Sequence, residues 1–167
     1  NGSTVSKVTI NGKEVAVSAN NRYTLTAEET NSVVVETIGG YRVTFNVANA
    51  ILVDGGAITN GMVRAVASGG SLTFSVEAVE GHRVGQVIGA TDNGDGTYTV
   101  SNVTANKTIT ITSVKQYKVT YVGANTSVYS PVFGTAYDNF EVWVDNNATV
   151  NFTVNADNGY TLLSVNG

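Results

Sequence analysis

Along most of this chain, apolar and polar side chains alternate one for one. That period sends successive side chains to opposite faces of a strand, so that one face meets a core and the other meets water. "TITIT" at residues 108–112 is the plainest case, with two isoleucines on one face and three threonines on the other. The same alternation, rich in β-branched and aromatic residues, predicts strands at residues 33–37, 41–47, 72–77, 98–100, 117–121 and 150–154. Pairs of Gly and Asn punctuate the intervals: Asn11-Gly12, Asn20-Asn21, Gly39-Gly40, Gly55-Gly56, Gly69-Gly70, Asn93-Gly94 and Asn158-Gly159. Both residue types tolerate positive φ, so each pair predicts a tight turn. No window of helix length carries a helical period. Residues 57–67 come nearest, and the Gly and Asn within them disfavour a helix. The pattern predicts an all-β chain of antiparallel strands with no substantial helix.

The pattern also repeats. "YRVTF" at 41–45 returns as "YKVTY" at 117–121, 76 positions later. "SLTFSVEAVEGHRV" (71–84) returns as "TVNFTVNADNGYTL" (149–162), 78 positions later. "GTYTVSNVTANKTITI" (96–111) has an earlier copy in "NRYTLTAEETNSVVV" (21–35). Three matches at nearly one spacing predict tandem small β-sandwich-like modules of about 77 residues. Residues 40–116 then form a complete module. Residues 1–39 are the C-terminal half of a preceding module, and residues 117–167 the N-terminal half of a following one. A module this small buries only a modest share of its surface, and half of one exposes strand edges. The halves therefore fold independently within a longer array, or they are completed within the chain or by a neighbouring subunit. Strand addition is one route to completion.

Composition narrows the classes. Charged residues are 13 % of the chain, against about 25 % in ordinary domains, and Thr, Ser and Asn supply the polarity instead. An apolar content of 42 % is too high for a disordered chain. A net charge of −4 with no Lys/Arg cluster argues against nucleic-acid binding. The cysteine count of 0 removes disulfides and thiolate metal sites. No apolar run reaches the roughly 18 residues of a membrane span, and the first residues carry no signal-peptide pattern.

Candidate chemistry is sparse. The lone His82 matches Tyr160 in the next copy, and a position that accepts either residue reads as packing rather than as a general base. Glu28, Glu29, Glu77 and Glu80 form no recognisable glycosidase pair. The chain reads as non-enzymatic. In "DNGDG", Asp92, Asn93 and Asp95 suggest a calcium loop, but Gly94 and Gly96 occupy positions where an EF-hand needs ligands. A hairpin turn is the expectation, with weak Ca²⁺ binding by these three residues as the alternative and no other cofactor. Tyr129, Phe133, Tyr137, Phe140 and Trp143 are concentrated in the second copy. They either fill an inter-module core or form a ligand-binding surface for a glycan or protein. In "EVWVD", alternation sets Trp143 opposite the face shared by Val142 and Val144.

"GGSLTFSVEAVEGHRV" followed by "NGDGTYTVSNVTANKTITITSVKQYKVTY" resembles the divergent internalin-type B repeats and related bacterial Ig-like surface repeat modules. The shared pattern is a Gly-rich turn, "LTFSV", a Gly-His or Gly-Tyr step, the "NGDGTYT" turn and a closing "ANKTITI". The resemblance covers most of residues 40–116, while residues 46–67 depart from it. It implies an extracellular or bacterial cell-surface location and no catalytic activity. The implied role is structural or adhesive, as a stalk, spacer or filament-building unit whose partners are neighbouring modules or subunits of the same protein. The alternative is a recognition module that binds a host or environmental glycan or protein through the aromatic residues between Tyr129 and Trp143.

Overall fold

The structure is a computed structural model describing residues 3–137 and 139–165. In chain order its strands are β1 (Ser3–Ile10), β2 (Lys13–Val15), β3 (Val33–Val47), β4 (Ile51–Val53), β5 (Val63–Ala67), β6 (Leu72–Ala78) and β7 (His82–Ile88). There follow β8 (Thr91–Asp92), β9 (Thr97–Val100), β10 (Lys107–Tyr121), β11 (Thr126–Ser130), β12 (Gly134–Tyr137), β13 (Phe140–Asp145) and β14 (Thr153–Ala156). A single 3-10 turn at Asp54–Gly56 is the only helical element among the described residues. The all-β expectation holds. The chain forms two compact units, Asn1–Ser113 and Val114–Gly167, and the boundary falls inside β10.

In the first unit β3 is the hub. Its opening residues pair antiparallel with β1, Val35 opposite Val8, and its later residues with β5, Tyr41 opposite Val66. β1 turns into β2 at Asn11-Gly12, where φ is 49° and 79°. β10 lies parallel to β3, with Lys107 beside Val43 and Ile111 beside Val47, and β7 pairs with β10. A second sheet runs β4-β6-β9-β8. Phe45 on β3 meets Phe74 on β6 edge-on, with ring centroids 5.1 Å apart, and this contact joins the two layers as a sandwich. Val43, Val53, Ile58, Val103, Ile109 and Ile111 are fully buried around that pair. Each such side chain contributes about 1.5–3 kcal/mol through burial.

Four expectations are corrected. The pairing of β3 with β10 is parallel, not antiparallel. The strand that closes the first unit returns beside the strand that opens its core, after the long crossover through residues 48–106 that parallel neighbours require. Next, Gly39-Gly40 is not a turn. β3 runs straight through it for 15 residues, fusing the two strands expected there. A Cβ on Gly40 would collide with the Val66 carbonyl oxygen and the Ala67 backbone, so close approach of β5 explains this glycine. The strands expected at 108–112 and 117–121 are likewise one strand of 15 residues, β10. Finally, the strand expected at 150–154 begins only at Thr153.

In the second unit, β10 pairs antiparallel with β13, Tyr117 opposite Val144 and Lys118 opposite Trp143. A three-stranded sheet runs β12-β11-β14, with Val128 opposite both Ala136 and Val154. Val128, Ser130 and Val144 are its buried residues among those described.

Candidate functional site

The five aromatic candidates lie in the second unit, and the fold separates them into three settings. β13 places Val144 inward, buried, and Trp143 outward, exposed, as its alternation requires. Opposite Trp143 on β10 stands Lys118, whose ammonium lies 5.4 Å from the centroid of the Trp143 ring. The same ammonium is 3.0 Å from the Glu141 carboxylate, also on the outer face. Tyr129 and Tyr137 share the exposed face of the β12-β11-β14 sheet. Tyr129 stands opposite Thr135 and Thr153, and Tyr137 stands opposite Ser127. Phe133 and Phe140 are half-buried and pack on one another, with centroids 4.7 Å apart. The aromatics thus form an outer Trp–Lys–Glu cluster, an outer tyrosine pair and an inner phenylalanine pair. Lys115 lies 4.8 Å from the centroid of Tyr117, a further exposed cation–aromatic contact that the sequence did not single out.

Beside Trp143 is a hollow of about 270 Å³ lined by Val132, Val144, Ala148, Thr149 and Val150, with Gln116 and Asp145 at its polar side. Gln116 Nε2 donates to Asp145 Oδ1 at 3.1 Å. The lining is mostly apolar and carries no nucleophile with an adjacent base. It can hold a hydrocarbon side chain or one face of a sugar ring.

Asp92, Asn93 and Asp95 lie in the hairpin turn between β8 and β9. Asp92 Oδ1 accepts from the Gly94 N–H at 2.8 Å, and Asp95 Oδ1 accepts from the Thr97 N–H at 3.0 Å and its hydroxyl at 2.6 Å. Asn93 Nδ2 donates to the hydroxyls of Thr97 and Thr99. These bonds lower the pKa of Asp95 below the ordinary carboxylate value, the Thr97 hydroxyl first and its N–H second. The Tyr98 hydroxyl is pushed above its ordinary value, first by burial and then by the Asp92 charge. Among the described residues, no group of three His, Cys, Asp or Glu side chains gathers to hold a metal ion.

His82 opens β7. Its N–H donates to the Val79 carbonyl at 3.1 Å, and its Nδ1 is buried with no hydrogen-bond partner among the described residues. Tyr160, its match in the repeat, donates its N–H to Asp157 at 3.0 Å. Comparison with family models, curated proteins and solved structures returns no match.

Proposed function

We propose that this chain is a segment of a repeat-built structural protein of the bacterial cell surface, a stalk or spacer made of modules of about 77 residues. The single observation that carries the reading is the recurrence of strand register. Tyr41–Val66 and Arg42–Ala65 face one another across β3 and β5, and Tyr117–Val144 and Lys118–Trp143 do so across β10 and β13. Ile51–Ala78 and Val53–Val76 join β4 to β6, and Thr126–Ala156 and Val128–Val154 join β11 to β14. The turns match as well: the Gly70 N–H donates to Ala67 at 2.8 Å and the Ala148 N–H to Asp145 at 2.9 Å. Each of these pairs recurs 75 to 78 positions later, the same spacing as the sequence copies.

A second feature supports a spacer role. β3 and β10 are each 15 residues long, and each both closes one module and opens the next in this layout. Few charges and a Thr/Asn-rich outer face suit an extracellular surface. Antibody to this chain should label intact, unpermeabilised source cells. Labelling only after lysis would contradict the reading.

The exposure of Tyr129, Tyr137 and Trp143 favours a second reading, a glycan- or protein-binding face. Glycan-array binding that falls at least tenfold in Trp143→Ala, with the fold unchanged, would support it. An array without hits, together with an unaffected variant, would leave the structural reading alone.

A further inference from the structure

We infer that the outer face of the β12-β11-β14 sheet binds an uncharged, β-linked polysaccharide chain, with Tyr129 and Tyr137 as its stacking platform. The inference rests on the recognition reading of the exposed aromatics. It goes further by choosing one surface among them and one class of ligand.

Strand register defines the surface. Ser127 on β11 stands between Tyr137 and Asn155, and Tyr129 stands between Thr135 and Thr153. Val128 and Ser130 alternate with these β11 residues and are buried, so the six lie in two rows of three on the outer side. Tyr129 and Tyr137 are diagonal neighbours in this grid, which sets them roughly 7–8 Å apart at the backbone. Tyr129 is 49 % exposed and Tyr137 68 %. None of the six side chains carries a charge. Among the described residues, the side chains of Ser127, Thr135, Thr153 and Asn155 bond to no protein group, which leaves them open to a ligand. The hairpin that carries Tyr137 is tied down at its turn. There the Val132 N–H donates to the Ser130 hydroxyl at 3.2 Å, and Phe133 packs on Phe140.

The two copies show what is particular to this face. Its counterpart in the first unit is the outer side of β4 and β6, where Leu52, Thr73 and Glu77 are exposed. An open face here therefore belongs to this layout of strands. The chemistry is what differs. Asp54 and Glu77 occupy the positions that Tyr129 and Asn155 hold in the second copy. Two carboxylates give way to an aromatic ring and an amide. The offset between the copies also grows, from 75 positions at Val53 and Val128 to 78 at Ala65 and Trp143. The added length falls in the stretch that makes β12, the strand that brings Thr135 and Tyr137 to the grid, whereas the first unit makes the 3-10 turn Asp54–Gly56 there.

This combination selects the ligand. A pyranose ring presents C–H bonds on a face and hydroxyls around its rim. The C–H face stacks on an aromatic ring, and hydroxyl and amide groups beside the ring bond the rim. Two offset rings on an open face fit a chain of sugars laid across them, where a single terminal sugar would call for a pocket. The three strands span roughly 10 Å from outer strand to outer strand, enough to lie under linked sugar rings. An uncharged grid on a chain of net charge −4 offers no complement to an acidic or a basic polymer. A protein partner calls for anchors set in a desolvated pocket, and the six positions hold no aliphatic side chain to build one.

Affinity electrophoresis of the 167-residue chain tests this, in gels containing hydroxyethylcellulose, barley β-glucan or konjac glucomannan, with polygalacturonate as the acidic polymer. At least one neutral polymer should retard the unaltered chain, and polygalacturonate should not. Tyr129→Ala and Tyr137→Ala should each weaken the retardation about tenfold or more, while Tyr129→Phe and Tyr137→Phe should keep it. Tyr117→Ala, at an exposed tyrosine outside the grid, should bind like the parent. NMR titration of the unaltered chain with oligosaccharides of the retarding polymer gives a readout independent of variant folding. Amide signals of residues 127–129, 135–137 and 153–155 should move together, and movement confined elsewhere would overturn the proposed surface. Retardation by no neutral polymer, equal retardation by polygalacturonate, or alanine variants that bind like the parent would each overturn the inference. Binding lost in Trp143→Ala and kept in both tyrosine variants would overturn it and leave the recognition reading standing. A chain that binds neither these polymers nor any glycan on an array would end both for glycans.

Discussion

Phe74 and Phe152 occupy matching positions in the sequence copies, but Phe74 lies within β6 and is 2 % exposed, whereas Phe152 just precedes β14 and is 51 % exposed. Phe74→Ala should cost about 3–5 kcal/mol in urea unfolding, because it opens a cavity between two sheets. Phe152→Ala in dilute solution should stay within about 0.5 kcal/mol of the parent. Equal losses at the two sites would mean that Phe152 is buried after all. At the "DNGDG" turn, the depressed pKa of Asp95 belongs to its bonds from Thr97. A depressed carboxylate stabilises the fold above its unfolded value, and that contribution is lost as pH falls through the lower folded value. NMR titration of Thr97→Val should find Asp95 returning toward the ordinary carboxylate range; an unmoved value would assign the shift elsewhere. At this scale the sequence was informative where alternation decides the outcome. Trp143 is outward and Val144 inward, as "EVWVD" implies. It was silent on the exposure of Phe152, because burial depends on the layer that lies over a residue, which its own sequence neighbours do not encode.

Among the elements, strand identity was legible and strand length was not. Alternation located the strands of β3, β6, β9 and β10, yet Gly39-Gly40 looked like a turn and proved to be a strand interior. A glycine pair allows positive φ and also allows another backbone to approach closely, and only the partner strand decides between the two. Gly85 on β7 is a second case: a Cβ there would lie 2.5 Å from the Thr112 hydroxyl oxygen, which accepts the Gln86 N–H at 2.8 Å. Gly85→Ala should therefore destabilise by about 1–3 kcal/mol through overpacking against β10. A gain in stability, the usual result at an uncrowded glycine, would contradict that packing. The parallel pairing of β3 with β10 could not be read from either strand, since both orientations give the same alternation.

For the whole molecule, the sequence copies lie 75 to 78 positions apart, and strand pairs in each of the two units recur at that separation, β3–β5 with β10–β13 and β4–β6 with β11–β14. What stayed out of reach was the candidate site, because the aromatics between Tyr129 and Trp143 are distributed over two outer faces and one inner pair. The claim beneath all of this is that one strand arrangement is built twice. Interstrand NOEs in dilute solution test it most directly. The prediction is that contacts joining Tyr41 to Val66 and Val53 to Val76 appear together with contacts joining Tyr117 to Val144 and Val128 to Val154. A different register among residues 116–156, or none, would contradict it.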